Sequence, residues 1–372
     1  MKNTIYDYVV VGAGICGSTI AQQLQQTTNS ILLIDNQKDV AQGASGAAGA
    51  FLSPLLGKPN KFKDLVTQSL KYSTDYYKKY TPKYINQCGT VRIPKDKIDE
   101  EKFNSYKKHM DFKYSKKDNG YLFEVASVVD GYNICKSLVE DIEKLFDYHI
   151  HSIEYKDNLW IINNTIKTKK LILTTGIDTN LIDEQYFNIR AVWGQRIDIN
   201  TTTNTIVNYH KECSVSKAIK IDDNLYKVSI GATHHRLEKN QKLIINDEDT
   251  KNLLSKANNI IKLENINVTK SYIGARACSV DYFPIVGKLI NSKETLKEFP
   301  YLVNGTNVQD SRYTYINNLY IINGVGGRGY VLAPFLAKQL FDYITNDIQI
   351  YDIITPNRLF KRWVKKYKQK DI

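Results

Sequence analysis

The stretch IYDYVVVGAGICGSTIAQQLQQTTNSILLID, residues 5–35, decides the fold. Its continuous apolar run at residues 8–11 is typical of a parallel strand that is covered on both faces. Three glycines follow at the spacing that permits a tight turn, a close approach to a pyrophosphate and a helix packed on the strand: Gly12, Gly14 and Gly17. A second apolar strand ends at Asp35, whose carboxylate can accept the hydroxyls of an adenosine ribose. The stretch therefore predicts a Rossmann-like unit for FAD or NAD, and Asp35 argues against the 2′-phosphate of NADP.

The length of 372 residues exceeds one typical domain, so two domains are expected. No apolar stretch reaches membrane-spanning length, and no basic segment with an apolar run and a cleavage site precedes the first strand. We therefore expect a soluble, cytoplasmic protein with no membrane partner. The five cysteines are scattered and include no CxxC pair, which argues against a disulfide framework and against a metal site.

The formal net charge of +12 has two interpretations. It favours a polyanionic partner such as RNA. Only nine of the 51 basic residues are arginine, however, and a chain this rich in lysine can also reflect a compositional bias. The overall charge leaves both interpretations open.

Further segments are placed to close on the cofactor. Small residues crowd GASGAAGAFLSP at residues 43–54, where backbone can lie against a flat ring system or form a plain flexible loop. An amphipathic pattern predicts a helix at 131–146, and an apolar run predicts a strand at 170–176 that ends in Gly176. A second glycine turn, GVGGRGYVLAPFLA at residues 324–337, leads into another helix, whose N-terminus suits an electron-rich group.

The last segment is strongly basic and is predicted to be a helix at residues 356–372. Its cations are Arg358, Lys361, Arg362, Lys365, Lys366, Lys368 and Lys370, and they alternate with Phe360, Trp363 and Tyr367. We expect the aromatic side chains to anchor one face of the helix while the cations point outward toward RNA.

Three motifs together resemble the D-amino-acid-oxidase-like (DAO) flavoenzymes over nearly the whole chain: GAGICG at 12–17, GARACSVDYFPIVG at 274–287 and GVGGRGYVLAP at 324–334. The resemblance implies an α/β fold, with a Rossmann-like FAD-binding domain of the glutathione-reductase type and a second, mainly antiparallel β-sheet substrate domain. It also implies non-covalent FAD, with Arg276 holding a substrate carboxylate and Arg328 as a second arginine at the substrate. The cofactor-binding residues predicted on this basis are Gly12, Gly14, Gly17, Asp35, Ser45, Gly46, Ala47, Gly176, Gly324, Gly326, Gly327, Gly329, Tyr330 and Val331.

The expected domains are discontinuous, because alternating strand patterns interrupt the Rossmann-like segments. The FAD-binding domain is predicted at 1–82, 126–190 and 315–355, the substrate domain at 83–125 and 191–314, and the basic helix at 356–372.

A narrower resemblance is to the FAD-dependent oxidoreductase domain of the MnmC family. It is carried by GASGAAGAFLSPLL at 43–56, by the GQ pair at 194–195, by GVGGRGYVLAPFLA at 324–337 and by PNRLFKR at 356–362. It implies oxidation of 5-carboxymethylaminomethyl-(2-thio)uridine at the tRNA wobble position to the 5-aminomethyl form, with tRNA as the partner. No methyltransferase domain is recognised, which leaves open a separate methyltransferase as a partner.

Two other functions stay open. One is a small-molecule amine oxidase of glycine- or sarcosine-oxidase type, and the other is a catalytically idle flavoprotein, against which Arg276 and Arg328 argue. Arg276 also has a purely structural interpretation, in which it pairs with Asp281. We interpret His234 and His235 as partly exposed strand residues rather than catalytic ones.

Overall fold

The structure is a computed structural model that describes residues 4–236 and 244–367. The α-helices within these ranges are α1 (Ile15–Leu24), α2 (Ala44–Ala47), α3 (Lys61–Tyr80), α4 (Lys97–Tyr106), α5 (Gly131–Leu138), α6 (Asp247–Asn258), α7 (Ser292–Glu298), α8 (Gly329–Asn346) and α9 (Asn357–Val364). The strands are β1 (Ile5–Val11), β2 (Ile31–Ile34), β3 (Phe51–Leu52), β4 (Ile85–Asn86), β5 (Thr90–Arg92), β6 (Ser115–Lys117), β7 (Gly120–Phe123), β8 (Ser127–Val129), β9 (Glu143–Leu145), β10 (Ile153–Lys156), β11 (Leu159–Ile162), β12 (Ile166–Leu173), β13 (Ile189–Thr201), β14 (Asn208–His210), β15 (Ser214–Val215), β16 (Ile219–Asp222), β17 (Leu225–Gly231), β18 (His235–Arg236), β19 (Asn267–Ser279), β20 (Ile285–Ile290) and β21 (Tyr315–Asn323).

The first sheet contains the dinucleotide unit predicted from residues 5–35. Five parallel strands follow the order β21, β12, β1, β2, β9, while β10, β11 and β20 add antiparallel pairs. Val11 lies opposite both Ile34 and Leu173, so three neighbouring strands end together. The loops that follow these carboxyl ends therefore meet at one edge, where such sheets bind their ligands.

The second sheet has ten strands and confirms the mainly antiparallel architecture. Its long strand β13 pairs antiparallel with both β17 and β19. Strands β5 and β14 pair in parallel, and the remaining ladders of this sheet are antiparallel. A small third sheet joins β3, β8 and β4.

Helices cover both faces of the first sheet, as its unbroken apolar strands require. Helices α1, α3, α5 and α8 pack on one face, and α7 and α9 contribute to the core on the other. The second sheet buries one face against α6. Within the described ranges, no helix combines the length and apolar character that crossing a bilayer requires.

The predicted helix at 131–146 is wrong in its second half. Helix α5 ends at Leu138, and residues 143–145 instead form β9, an edge strand that pairs with β2. Val139 and Ile142 are buried between them. Residues 143–145 form a strand, despite the helical periodicity of the sequence, because they pair with the open edge of the first sheet and because the residues before them are buried.

Strand β20 lies inside the range predicted for the substrate domain, yet it pairs with β21 of the first sheet. A division that follows the sheets would assign residues 285–290 to the FAD-binding domain. With that change, the discontinuous two-domain division remains our proposal.

The basic helix is shorter and less outward-facing than predicted. Helix α9 ends at Val364, and the predicted positions Lys368 and Lys370 lie outside the described residues. Arg358 forms an ion pair with Asp281, and Lys361 pairs with Asp310. The charges of these two cations are therefore directed at the protein itself.

The aromatic side chains of this segment do pack inward. Phe360 is fully buried in the core beside the first sheet, and Trp363 and Tyr367 pack against the same core.

Candidate active site

The glycines of the first turn, between β1 and α1, differ in how closely other atoms pack against them. A methyl carbon added at Gly12 would lie 2.5 Å from the carbonyl oxygen of Thr174, and one added at Gly17 would overlap the carbonyl of Gly12. These two glycines are required by packing. Gly14 meets only Ser45 Oγ at 3.1 Å, and it caps α1 without a side chain and without an acidic residue in the first turn. The open N-terminus of α1 therefore fits a pyrophosphate.

Asp35 lies beside this turn at the end of β2. Its carboxylate accepts the main-chain N–H groups of Ala13 at 2.6 Å and Gln37 at 2.8 Å. Burial raises the pKa of Asp35, and the main-chain donors oppose that shift. The carboxylate is thus fixed next to the glycine turn, as a ribose-binding acid has to be.

The segment at 43–54 links the first turn to the second sheet. Ser45 Oγ accepts the N–H of Ile15 at 3.0 Å, so α2 sits against the start of α1. On its other side, a methyl carbon added at Gly274 of β19 would lie 2.8 Å from Cβ of Ala47. A methyl carbon at Gly46 would overlap the carbonyl of Ala41. The small residues of this segment therefore permit a close approach of the two sheets.

The second glycine turn runs from β21 into α8. Gly324 and Gly326 have φ of +72° and +55°, the left-handed region that favours glycine. Gly327 and Arg328 continue the turn, and α8 begins at Gly329 with no acidic residue in its first turn. Gly176 has φ of +62°, and its carbonyl accepts Nδ2 of Asn323 at 2.9 Å, which ties the loop after β12 to this turn.

Tyr330 and Val331 face the core rather than the space above the turn. Both side chains are buried, and the Tyr330 hydroxyl donates to the carbonyl of Ser45 at 3.0 Å. Their proposed contribution to cofactor binding therefore comes from the main chain.

Arg276 projects from β19 beside the second glycine turn. A methyl carbon at Gly327 would lie 3.5 Å from Cδ of Arg276 and 3.6 Å from its Nε. Arg276 Nη1 donates long hydrogen bonds to three main-chain carbonyls, those of Val192, Trp193 and Thr233, at 3.3–3.5 Å. Among the described residues, Nε and Nη2 donate to no group and no carboxylate pairs with the guanidinium. One edge of the guanidinium fork is therefore available to a ligand.

The structural interpretation of Arg276 as the partner of Asp281 is not what the structure shows. Asp281 accepts Nε and Nη2 of Arg358 at 2.8 and 3.1 Å. Burial acts to raise the pKa of Asp281, but the hydrogen bonds and charge of Arg358 outweigh it and hold this pKa below its usual range. Because Asp281 is paired with Arg358 of α9, the guanidinium of Arg276 is available to bind another anion.

Further cations surround the same space. Arg328 donates Nη1 to the carbonyl of Ser53 at 3.3 Å, and burial lowers its pKa. Burial and then the charges of Arg92 and Arg328 lower the pKa of His210 to about 3. Burial and the charge of Arg276 also lower the pKa of His234. Both histidines are therefore neutral at pH 7 beside three arginines.

Sequence reasoning missed Arg92 and His210. The signal that could have found them is strand alternation, because each follows a core residue, Val91 or Tyr209, and so points to the opposite face. The paired histidines behave as expected in part. His235 is partly exposed and contacts Asp249 through Nε2 at 2.9 Å. His234 lies between β17 and β18, and its side chain is only partly withdrawn from solvent.

Within the described part of the chain, no group of three or more histidine, cysteine, aspartate or glutamate side chains could hold a metal ion. Cys278 is half-buried, and burial raises the pKa of its thiol. A protonated thiol is a poor nucleophile. Non-covalent FAD therefore remains our proposal.

Curated relatives match almost the whole chain at low identity. The tRNA 5-methylaminomethyl-2-thiouridine biosynthesis bifunctional protein MnmC of Legionella pneumophila is 24% identical over 95% of this chain and 57% of its own length. The protein of the same name from Campylobacter fetus is 22% identical over 97% of this chain and 60% of its own length. The chain thus spans less than two thirds of these relatives.

Solved structures share the fold. Glycine oxidase from Bacillus cereus superposes with a TM-score of 0.73 at 16% identity, over 92% of this chain and 96% of that one. Iminodiacetate oxidase from Chelativorans sp. superposes with a TM-score of 0.71 at 15% identity, over 94% of this chain and 98% of that one. The model of the DAO family, described as FAD dependent oxidoreductase, matches residues 7–343. The chain belongs to this family of FAD-dependent oxidoreductases.

Proposed function

We propose that this chain oxidises the C–N bond of a carboxymethylamino group on the wobble uridine of tRNA. The reaction converts 5-carboxymethylaminomethyl-(2-thio)uridine to 5-aminomethyl-(2-thio)uridine and releases glyoxylate. The observation that carries the proposal is Arg276, whose free guanidinium edge faces the second glycine turn. The names of the curated relatives, which match 95–97% of the chain, support tRNA as the substrate.

The residues that would hold FAD are the two glycine turns, Asp35 and the segment at 43–54. Bound there, FAD supplies the acceptor for the hydride that leaves the carbon next to the amine. The N-termini of α1 and α8 both lack acidic residues in their first turns, which suits the negative charge of the pyrophosphate and of a reduced ring. Gly14, Asp35 and Ser45 are the contacts proposed for the adenosine half.

Arg276 would bind the carboxylate of the carboxymethylamino group. Its Nε and Nη2 can make the bidentate, charge-assisted pair that fixes both the position and the orientation of this group. Fixing the carboxylate fixes the adjacent carbon, from which the hydride leaves. Arg328 lies on the other side of Gly327 and adds positive charge to the same space.

The protein also keeps the substrate amine uncharged. Oxidation needs the amine lone pair, so the amine has to bind without its extra proton. The positive charges of Arg276 and Arg328 would disfavour an ammonium group near them. Loss of the hydride and a proton leaves an imine, and water then splits it into the aminomethyl nucleoside and glyoxylate.

The RNA contact is proposed to include the exposed face of α9. Three cations at its C-terminal end are exposed and carry no ion pair with another described residue: Arg362 of α9, and Lys365 and Lys366, which follow the helix. Their helix is anchored by the buried Phe360, so their positions are fixed relative to the first sheet. A separate methyltransferase is a further partner that this function would accommodate.

The test measures glyoxylate released by the FAD-loaded protein from three substrates: tRNA isolated without the final modification, free glycine and sarcosine. Release from tRNA alone supports the proposal. Turnover of glycine or sarcosine with no release from tRNA would instead establish a small-molecule amine oxidase. That second function is favoured by the fold shared with glycine oxidase and iminodiacetate oxidase. A yellow protein that releases neither glyoxylate from any of the three nor formaldehyde from sarcosine would be an idle flavoprotein.

A further inference from the structure

Arg92 lies on the face of the second sheet that is turned away from the α6 core. Its neighbour Val91 is fully buried in that core, so the side chain of Arg92 points to the opposite face. His210 of β14 is paired in register with Arg92, and its neighbour Tyr209 also packs in the core. Arg92 and His210 therefore share one face of the sheet.

That face is turned toward the FAD-binding segments. Arg196 of β13 lies beside the core residue Ile197, and its Nη1 donates across to the carbonyl of Ala48 at 2.8 Å. Arg328 of the second glycine turn is close enough to Arg92 for the two charges to repel each other. Arg92 thus lies near Arg328, which directly follows Gly327 in the second glycine turn, and Gly327 in turn adjoins Arg276.

The guanidinium of Arg92 has no partner in the described part of the chain. Its Nε atom is buried without a hydrogen bond, and the side chain forms no ion pair there. Burial and the neighbouring charge of Arg328 lower its pKa to about 10, and the more distant Asp99 offsets this only in part. Buried cations are otherwise paired or hydrogen-bonded, because leaving water without a partner is unfavourable. An unpaired guanidinium in this position is what an anion site requires.

Two arginines with unused donors imply two anionic groups on the ligand. The carboxylate proposed for Arg276 accounts for one of them. A nucleotide within RNA also carries phosphates, which a guanidinium binds well. We propose that Arg92 forms a second anion subsite, which binds a phosphate of the substrate nucleotide while Arg276 holds its carboxylate. This inference rests on the proposed function and deepens it, since it makes the phosphate a determinant of specificity.

The first test compares two small substrates that differ in phosphate alone: 5-carboxymethylaminomethyluridine and its 3′,5′-bisphosphate. With the FAD-loaded wild-type protein, we expect kcat/KM for glyoxylate release to be about tenfold to a hundredfold higher for the bisphosphate, the range of one charge-assisted hydrogen bond. In Arg92→Gln, the ratio of kcat/KM for the bisphosphate to kcat/KM for the nucleoside should fall close to one. Arg92→Lys should restore part of it, because a point charge replaces the fork.

The matched control is Lys116→Gln, which removes an exposed cation from the edge strand β6 of the same sheet. This variant should keep the wild-type preference. A preference that survives in Arg92→Gln, or one that falls equally in Lys116→Gln, would overturn the subsite.

The second test is the melting temperature of the FAD-loaded protein, which needs no turnover. Removing an unpaired buried charge should raise the melting temperature of Arg92→Gln in the absence of anions, by on the order of 2 °C. Inorganic phosphate, compared with sodium chloride at equal ionic strength, should raise the melting temperature of the wild type more than that of Arg92→Gln.

These shifts in melting temperature test the anion subsite independently of the proposed function. If neither nucleoside form is oxidised, the proposed function fails, while a phosphate-dependent shift that is lost in Arg92→Gln still supports the anion subsite. A lower melting temperature for Arg92→Gln together with an unaltered response to phosphate would show that Arg92 is structural.

Discussion

Replacing Arg276 by lysine removes the guanidinium fork and keeps the charge. In the structure, Nη1 serves three main-chain carbonyls at 3.3–3.5 Å, and the Nε and Nη2 edge is free for the substrate. A lysine ammonium can satisfy the carbonyls or approach the carboxylate, but it cannot present two parallel donors. The substitution therefore tests orientation separately from charge.

The magnitude follows from the loss of one of two charge-assisted hydrogen bonds. Such a bond contributes about 1.5–3 kcal/mol, and about 1.4 kcal/mol corresponds to a factor of ten. We expect kcat/KM of Arg276→Lys to fall about tenfold to a hundredfold. FAD should stay bound, because Arg276 belongs to the second sheet while Gly14 and Asp35 lie at the edge of the first.

The assay is glyoxylate release under single-substrate conditions, with flavin absorbance as the measure of bound FAD. Arg312→Lys is the matched control, since Arg312 is an exposed arginine that packs on Phe299. Unchanged kinetics in Arg276→Lys would refute the assignment and leave Arg328 as the next carboxylate candidate. Loss of FAD along with activity would refute the separation between cofactor and substrate contacts.

Three further predictions follow from contacts around the site. Gly194→Ala should lower kcat/KM by about tenfold or more in the same assay, because the added methyl carbon would lie 2.6–2.7 Å from Nη1 and Nη2 of Arg276 and displace them. Asp281→Asn should lower the free energy of unfolding by about 1–3 kcal/mol at pH 7. Because Arg358 lowers the pKa of Asp281 in the folded state, this difference from the wild type should shrink as the pH falls below about 4, and thermal melts measure it. Three exposed cations at the C-terminal end of α9 are Arg362, Lys365 and Lys366. Replacing all three by glutamine should weaken tRNA binding and reduce the slope of log affinity against log salt by about 2–3. Filter binding measures this slope, and an unchanged slope would contradict the prediction. Truncation of α9 is less informative, since it would remove the buried Phe360.

Local sequence signals predict the parts of this fold in which local geometry and burial agree. The apolar run of β1 and the glycines after it specify a strand and a turn, and both occur as predicted, with the carboxylate of Asp35 placed beside the turn. The second glycine turn is equally local, because Gly324 and Gly326 adopt positive φ and α8 follows at once. The roles of these residues toward FAD remain predictions.

Long-range pairing explains what the sequence did not reveal. Strand β20 joins the first sheet through β21, although residues 291–314 separate them and the antiparallel strands before β20 suggested the other domain. The helix predicted at 131–146 is interrupted because an edge of the same sheet accepts β9. Strand alternation predicts the face of the sheet on which Arg92 lies but not its function, because its significance comes from Arg328, more than 200 residues away.

The competition for Asp281 decides which arginine is free to act. Asp281 follows Arg276 by five residues, so sequence proximity favours a pair between them. In the fold, the carboxylate is instead shared among Ser279 Oγ, the N–H of Phe283 and the guanidinium of Arg358. Arg358 comes from α9, so this helix neutralises the carboxylate of Asp281. Among the described residues, Arg276 is thereby left as a cation without a carboxylate partner, which is the condition that binding a substrate carboxylate requires.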